Sequence, residues 1–222
     1  MRISRPKGDP DAGSPPRRNE RFAGARDLRY EEMFGTIAQV LHERDPHSPH
    51  VDVYLFAPEK QKREFCTMVT SGMSDRKMDV PEAIGDCVSR AELIFYCREP
   101  SIEYANMLRE IAHYPHDKET WLGHGHTLRF GKLLHVDERD AQFAGYLFLP
   151  SPIGEDGQLA KRLRLDGTPV NLLWVVPITE KELQLAEEEG TRALLRVLFD
   201  HGHPFVFDPM RESYIRNGKV RK

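Results

Sequence analysis

The chain has 222 residues, 39% of them hydrophobic and 30% charged, with a formal net charge of −3 at neutral pH. That balance fits a folded domain carrying a tail, and it provides no general attraction to nucleic acid. No apolar run approaches the ~20 residues of a membrane helix, and no continuous apolar segment follows the basic N-terminus, so neither a membrane span nor a secretory signal is expected.

Residues 1–26 are rich in proline, glycine and arginine and poor in large apolar side chains. They are expected to form a disordered tail, with a single domain over 27–222. The segment "LRYEEMFGTIAQVLHERD" then predicts a helix, with Tyr30, Met33, Phe34, Ile37 and Leu41 on one stripe, stopped by the prolines of "DPHSPH". "VDVYLFAP" and "REFCTMVT" predict neighbouring antiparallel strands. "SRAELIFYCR" predicts a third strand, with Ala91, Leu93, Phe95 and Cys97 on one side and Glu92, Ile94 and Tyr96 on the other.

"IEYANMLREIAHYP" predicts a helix with Tyr104, Leu108 and Ile111 on its apolar stripe and Pro115 near its end. Strands are predicted at "HTLRFGKLL", "FAGYLFLP" and "VNLLWVVPI", with a long polar excursion before the last. Thr179 and Glu182 have capping-box spacing at the start of the final helical segment. Gly190 on its stripe marks either close packing or a break into two helices. "HPFVFDP" predicts a last short strand. These elements do not alternate as βαβ units, so an α+β sandwich is expected, with a mixed, mostly antiparallel sheet and packed helices. The three cysteines, Cys66, Cys87 and Cys97, lack CxxC spacing, and reduced thiols in the cytoplasm are the expectation.

Two constellations invite a chemical reading. "VTSGMSD" presents Ser71 and Ser74 around Gly72, with Asp75 adjacent. A nucleophile elbow needs G-x-S-x-G between strand and helix; the order here is S-G-M-S and no helix pattern follows. A strand ending in a fixed turn is the expectation, with no catalytic residue. "GHGH" places His124 and His126 two residues apart, and "HGH" repeats the pattern at His201 and His203. If the pairs met, four imidazoles could bind zinc and support a His-centred, metal-dependent hydrolase. Beyond a helix end, His201 and His203 can equally bond carbonyls. No phosphate loop, dinucleotide fingerprint or HExxH occurs, and no cofactor or metal is expected.

Six segments, "FCTMVTSGMSD", "RAELIFYC", "MLREIAHYP", "LGHGHTL", "LLWVVPITEKEL" and "FVFDPMRESYI", together resemble the suppressor of fused (SUFU) domain family in order and spacing. The resemblance spans about residues 28–216. It implies the α/β sandwich of the N-terminal domain of animal members and a non-enzymatic, protein-binding role. Animal members grip an extended peptide as an added strand, and many bacterial members look like immunity proteins that neutralise a toxin domain. It also implies that Ser71, Gly72, Ser74, Asp75, Glu92, Thr179 and Glu182 are structural family positions. Tyr114, Gly125, His126 and Ser151 are implied at the partner-binding surface. Gly125 and Ser151 stand where animal members carry acidic residues, and a site lined by charged histidines would repel a cationic peptide histidine. The expected partner is a protein, a toxin domain or an extended peptide, with no nucleic acid and no membrane involved. The sequence leaves the oligomeric state open.

Overall fold

The structure is a computed structural model that describes residues 20–59, 63–129, 143–216 and 219–220. Its helices are α1 (Glu20–Phe34), α2 (Ile102–Asp117), α3 (Leu159–Arg162), α4 (Glu180–Glu189) and α5 (Thr191–Asp200). Its main strands are β1 (Gln39–Leu41), β2 (Asp52–Phe56), β3 (Cys66–Ser71), β4 (Arg90–Cys97), β5 (Thr127–Arg129), β6 (Phe143–Pro150), β7 (Arg164–Leu165) and β8 (Thr168–Thr179). A small hairpin of β9 (Ile215–Arg216) and β10 (Lys219–Val220) follows.

The main sheet runs β1-β2-β3-β4-β8-β6-β5, with β7 paired to β8 off that path. All its pairings are antiparallel except the central one between β4 and β8. This is the mixed, mostly antiparallel sheet that the pattern predicts. β4 alternates as expected. Ala91, Leu93, Phe95 and Cys97 join the core beneath α2, together with Met107, Leu108 and Ile111. Ile94 and Tyr96 join the opposite core, which α1, α4 and α5 cover through Tyr30, Leu183, Leu194 and Leu198. Both faces of the sheet are therefore roofed by helices, and the strands are buried on both sides.

Several local expectations shift. The first helix begins at Glu20, so residues 20–26 of the expected tail are its first turns and Arg26 is fully buried. The helix ends at Phe34, where Gly35 adopts φ 93°. Ile37 and Leu41 are not on a helix. β1 occupies 39–41, with Val40 packing on one core and Leu41 on the other, which is strand periodicity. α2 continues through Pro115 to Asp117. The excursion before β8 contains α3, and β7 turns into β8 through Asp166 and Gly167, both at positive φ, a two-residue hairpin turn. Gly190 does separate two helices, at φ 86°. Among the described residues "HPFVFDP" makes one bridge, Phe207 with Cys97, and its prolines have no amide to donate to a ladder. For "HTLRFGKLL", only 127–129 form a described strand, and the remainder of the predicted segment lies outside the described residues. Among the described residues no helix is long and apolar enough to cross a membrane.

Candidate partner-binding site

"VTSGMSD" closes over a buried carboxylate. Glu92 sits on the α1 side of β4, wholly inaccessible. Its Oε1 accepts from the Gly72 and Ser74 amides at 3.0 Å each and from the Ser74 hydroxyl at 2.6 Å, while its Oε2 accepts from the Thr70 hydroxyl at 2.6 Å. Arg26 of α1 lies over the same turn. It donates to Ser71 Oγ at 2.9 Å and to Ser74 Oγ at 3.2 Å, pairs with Asp75, and stands 3.7 Å from Glu92. Burial pushes the Glu92 pKa up, opposed by Arg26 and by the donors from Ser74, Thr70 and Gly72. Ser74 is fully buried and its hydroxyl is committed to Glu92, so the turn presents no nucleophile. Gly72 is required there: its φ is 139°, and a Cβ would lie 1.9 Å from the His50 carbonyl oxygen.

Glu182 is a second buried carboxylate with the same logic. Thr179 and Glu182 form the predicted capping box of α4. The carboxylate also accepts from both terminal nitrogens of Arg211, at 2.7 and 2.8 Å, and from the Tyr214 amide at 3.0 Å. Thus the "TEKEL" segment is fastened to "DPMRESYI", as "SGMSD" is fastened to "RAELIFYC". Paired motifs of this kind hold the fold together through charge-assisted bonds.

The GHGH segment leads into β5. Gly125, at φ 85°, donates its amide to the Phe148 carbonyl at 2.7 Å, and its own carbonyl accepts from Thr191 Oγ1 at 2.8 Å. His126 packs edge-on against Trp121 at 4.2 Å. Its carbonyl accepts from the Phe148 amide. The His126 amide donates to the Gly123 carbonyl at 3.1 Å, so by antiparallel alternation the His126 carbonyl and the Leu128 peptide groups face β6, and those of Thr127 and Arg129 face outward. Burial lowers the His124 and His126 pKa values, outweighing their bonds to the Leu172 and Trp121 backbone. Lowered values favour the neutral forms of both rings.

The other two partner-surface residues lie elsewhere. Tyr114 packs against the α2-side core and borders a groove of about 1130 Å³ between α2 and the loop after β1. Ser151 bonds the Tyr96 hydroxyl at 2.7 Å on the opposite side of the sheet. That hydroxyl also donates to Asp156, which Arg63 holds at 2.6 and 2.9 Å. Gly125 and His126 are brought together at β5; Tyr114 and Ser151 are not.

The two histidine pairs do not assemble a metal site. His201 bonds the Val197 carbonyl at 2.8 Å, as a residue at a helix end can, and His203 bonds the Tyr214 hydroxyl at 3.1 Å. Burial, with Arg211 nearby, pulls the His203 pKa down to about 4. Among the described residues the one group of three or more metal-type ligands is Glu43, His47 and His113. Sequence reasoning missed it. "HERDPHSPHVD" is dense in histidine and acid, but His113 is 70 residues from Glu43 and only the fold joins them.

The family described as suppressor of fused protein (SUFU) matches residues 47–212, well over half of the chain. The chain belongs to the suppressor of fused family. Among solved structures, a protein described as a SUFU homolog from Neisseria gonorrhoeae is 17% identical, with a TM-score of 0.65 over 90% of this chain and 100% of that one. A Sufu–Fu complex structure is 15% identical, with a TM-score of 0.54 over 83% of this chain and 85% of that one. At such identities these likenesses speak to the SUFU fold, which agrees with the sandwich described above. No match was found among curated proteins.

Proposed function

We propose that this SUFU-family domain is a non-enzymatic, cytoplasmic binding protein that captures an extended segment of a protein partner as an added strand along β5. The observation that carries this reading is the outward-facing peptide groups of Thr127 and Arg129 on the outermost described strand at that end of the sheet. Strand addition uses such groups for affinity and neighbouring side chains for selection. His126 and Trp121 supply an aromatic flank beside the edge. The likeness to the structure of a Sufu–Fu complex supports the same class of role.

Gly125 and His126 are assigned to the partner surface. Tyr114 and Ser151 would serve it only through separate contacts. Within this reading the partner is a toxin domain that the bound protein neutralises, the role implied by resemblance to bacterial members. The test is capture from native lysate, followed by co-expression with any captured or gene-adjacent toxin. A stoichiometric protein partner and restored growth are expected. Capture of no partner, or a captured toxin whose activity persists in the complex, overturns it.

A further inference from the structure

The geometry points to a transition-metal site of the zinc class formed by Glu43, His47 and His113, with its fourth position facing the groove beside Tyr114. One ligand atom from each of the three residues lies within 4.8 Å of the others. His113 Nε2 is 2.6 Å from Glu43 Oε1, and His47 Nδ1 is 3.7 Å from the same oxygen. Two imidazole nitrogens and a carboxylate oxygen thus lie together from two elements, the loop after β1 and helix α2; an ion would replace the His113–Glu43 hydrogen bond, and the exposed His47 ring, stacked on His113 at 4.4 Å, would turn toward it. Two histidines and one carboxylate are a common ligand set for zinc with an open fourth position.

The surroundings fit a built site. The Glu43 and His113 side chains are only 5% and 8% exposed, whereas His47 is 47% exposed and forms the mouth. Glu43 Oε2 is held by the Val51 amide at 2.9 Å, which leaves Oε1 to face the histidines. Asp52 Oδ1 accepts from the Glu43 amide at 3.0 Å, fixing the backbone beneath. His50 contacts Asp52 at 3.0 Å through Nε2 and lies 3.7 Å from Glu43 through Nδ1, extending the polar shell. Supporting bonds of this kind orient ligands before an ion arrives. His42, Arg109 and Glu110 also line the groove, so water or a donor from a bound partner can reach the fourth position.

The experiment titrates tag-free, metal-stripped full chain with Zn2+ by calorimetry and with Co2+ by visible absorption. One ion per chain, the intense bands of tetrahedral Co2+ and a raised melting temperature are expected. His47→Ala is the decisive variant, because its exposed ring can be removed without opening the core. It should weaken Zn2+ binding by more than the ~10–100-fold typical of losing an outer-shell partner. His124→Ala, an exposed histidine that does not line this groove, should leave affinity unchanged. Absence of stoichiometric binding, or equal affinity in wild type and His47→Ala, overturns the site.

Discussion

Arg211 grips Glu182 through both terminal guanidinium nitrogens, at 2.7 and 2.8 Å, with the carboxylate wholly buried. The pair joins the first turn of α4 to the segment after α5. Burial alone would raise the Glu182 pKa. The bonds and charge of Arg211, with the Thr179 and Tyr214 amides, outweigh it, and the net shift is downward. A carboxylate with a depressed folded pKa stabilises fully above its unfolded value of about 4.3, and this contribution is lost as pH falls through the folded value. Urea midpoints should therefore drop steeply below about pH 4. Glu182→Gln should flatten that acid limb. It should also cost about 3–5 kcal/mol at neutral pH, since Arg211 is left buried without its counter-charge.

Glu92 and its turn predict a stability effect where a nucleophile would predict lost activity. Glu92→Gln leaves the buried Arg26 with Asp75 as its counter-charge and should destabilise by about 3 kcal/mol, the low end for breaking a buried pair. Ser74→Ala removes one hydroxyl donor to the buried carboxylate and should cost about 1–3 kcal/mol. Chemical denaturation of both variants checks the order. A Ser74→Ala protein as stable as wild type would contradict the account.

Gly72→Ala should be more severe than either. The new methyl meets the His50 carbonyl at 1.9 Å and the backbone is held at φ 139°. A loss of about 4 kcal/mol or more is expected, visible as a collapsed thermal transition or as insoluble expression. Gly167→Ala, also at positive φ but with open space around it, should cost much less.

At the sheet edge, Thr127→Pro deletes an outward amide while leaving the inward bonds of His126 and Leu128 to β6. The circular dichroism spectrum should be unchanged. Affinity for an edge-binding partner should fall about tenfold, the equivalent of one hydrogen bond. Isothermal titration of the variant against wild type measures the difference, and equal affinities would place the partner elsewhere.

Thiol labelling should be selective. Cys97 is buried, with its pKa pushed up to about 12 by burial and by Cys66, and burial also raises Cys66. Cys87 is exposed. A disulfide reagent at neutral pH should modify Cys87 quickly and the other two only on unfolding, which mass spectrometry can follow.

Much of the sheet is legible in the chain because strand periodicity is a local property. Glu92, Ile94 and Tyr96 alternate against Leu93 and Phe95 whatever surrounds them. Ile37 and Leu41 mislead for the same reason. Their spacing fits a helical stripe, but the helix ends before Gly35, Ile37 falls in the loop that follows, and pairing with β2 puts Leu41 on a strand. Arg26 was hidden by its proline- and arginine-rich context; its burial depends on a carboxylate 66 residues away, and composition carries no trace of that contact. The Glu43–His113 contact fails for a similar reason, being a product of how α2 lies across the loop after β1. The motif "SGMSD" could be recognised but not explained, since the side chain it encloses belongs to another strand.

The one parallel pairing has a consequence for biosynthesis. Arg90 of β4 aligns with Val170 of β8, 80 residues later. At about 5–20 residues per second, a ribosome needs roughly 4–16 s to supply the second strand after the first. Throughout that interval the edge of β4 that will face β8 has no partner, although its other edge can already pair with β3. The nascent chain thus spends seconds as a half-sheet with an apolar open side, the state most prone to wrong pairing. Slower translation of residues 98–170 should lengthen that exposure, and a chaperone that shields strand edges should matter most in that window.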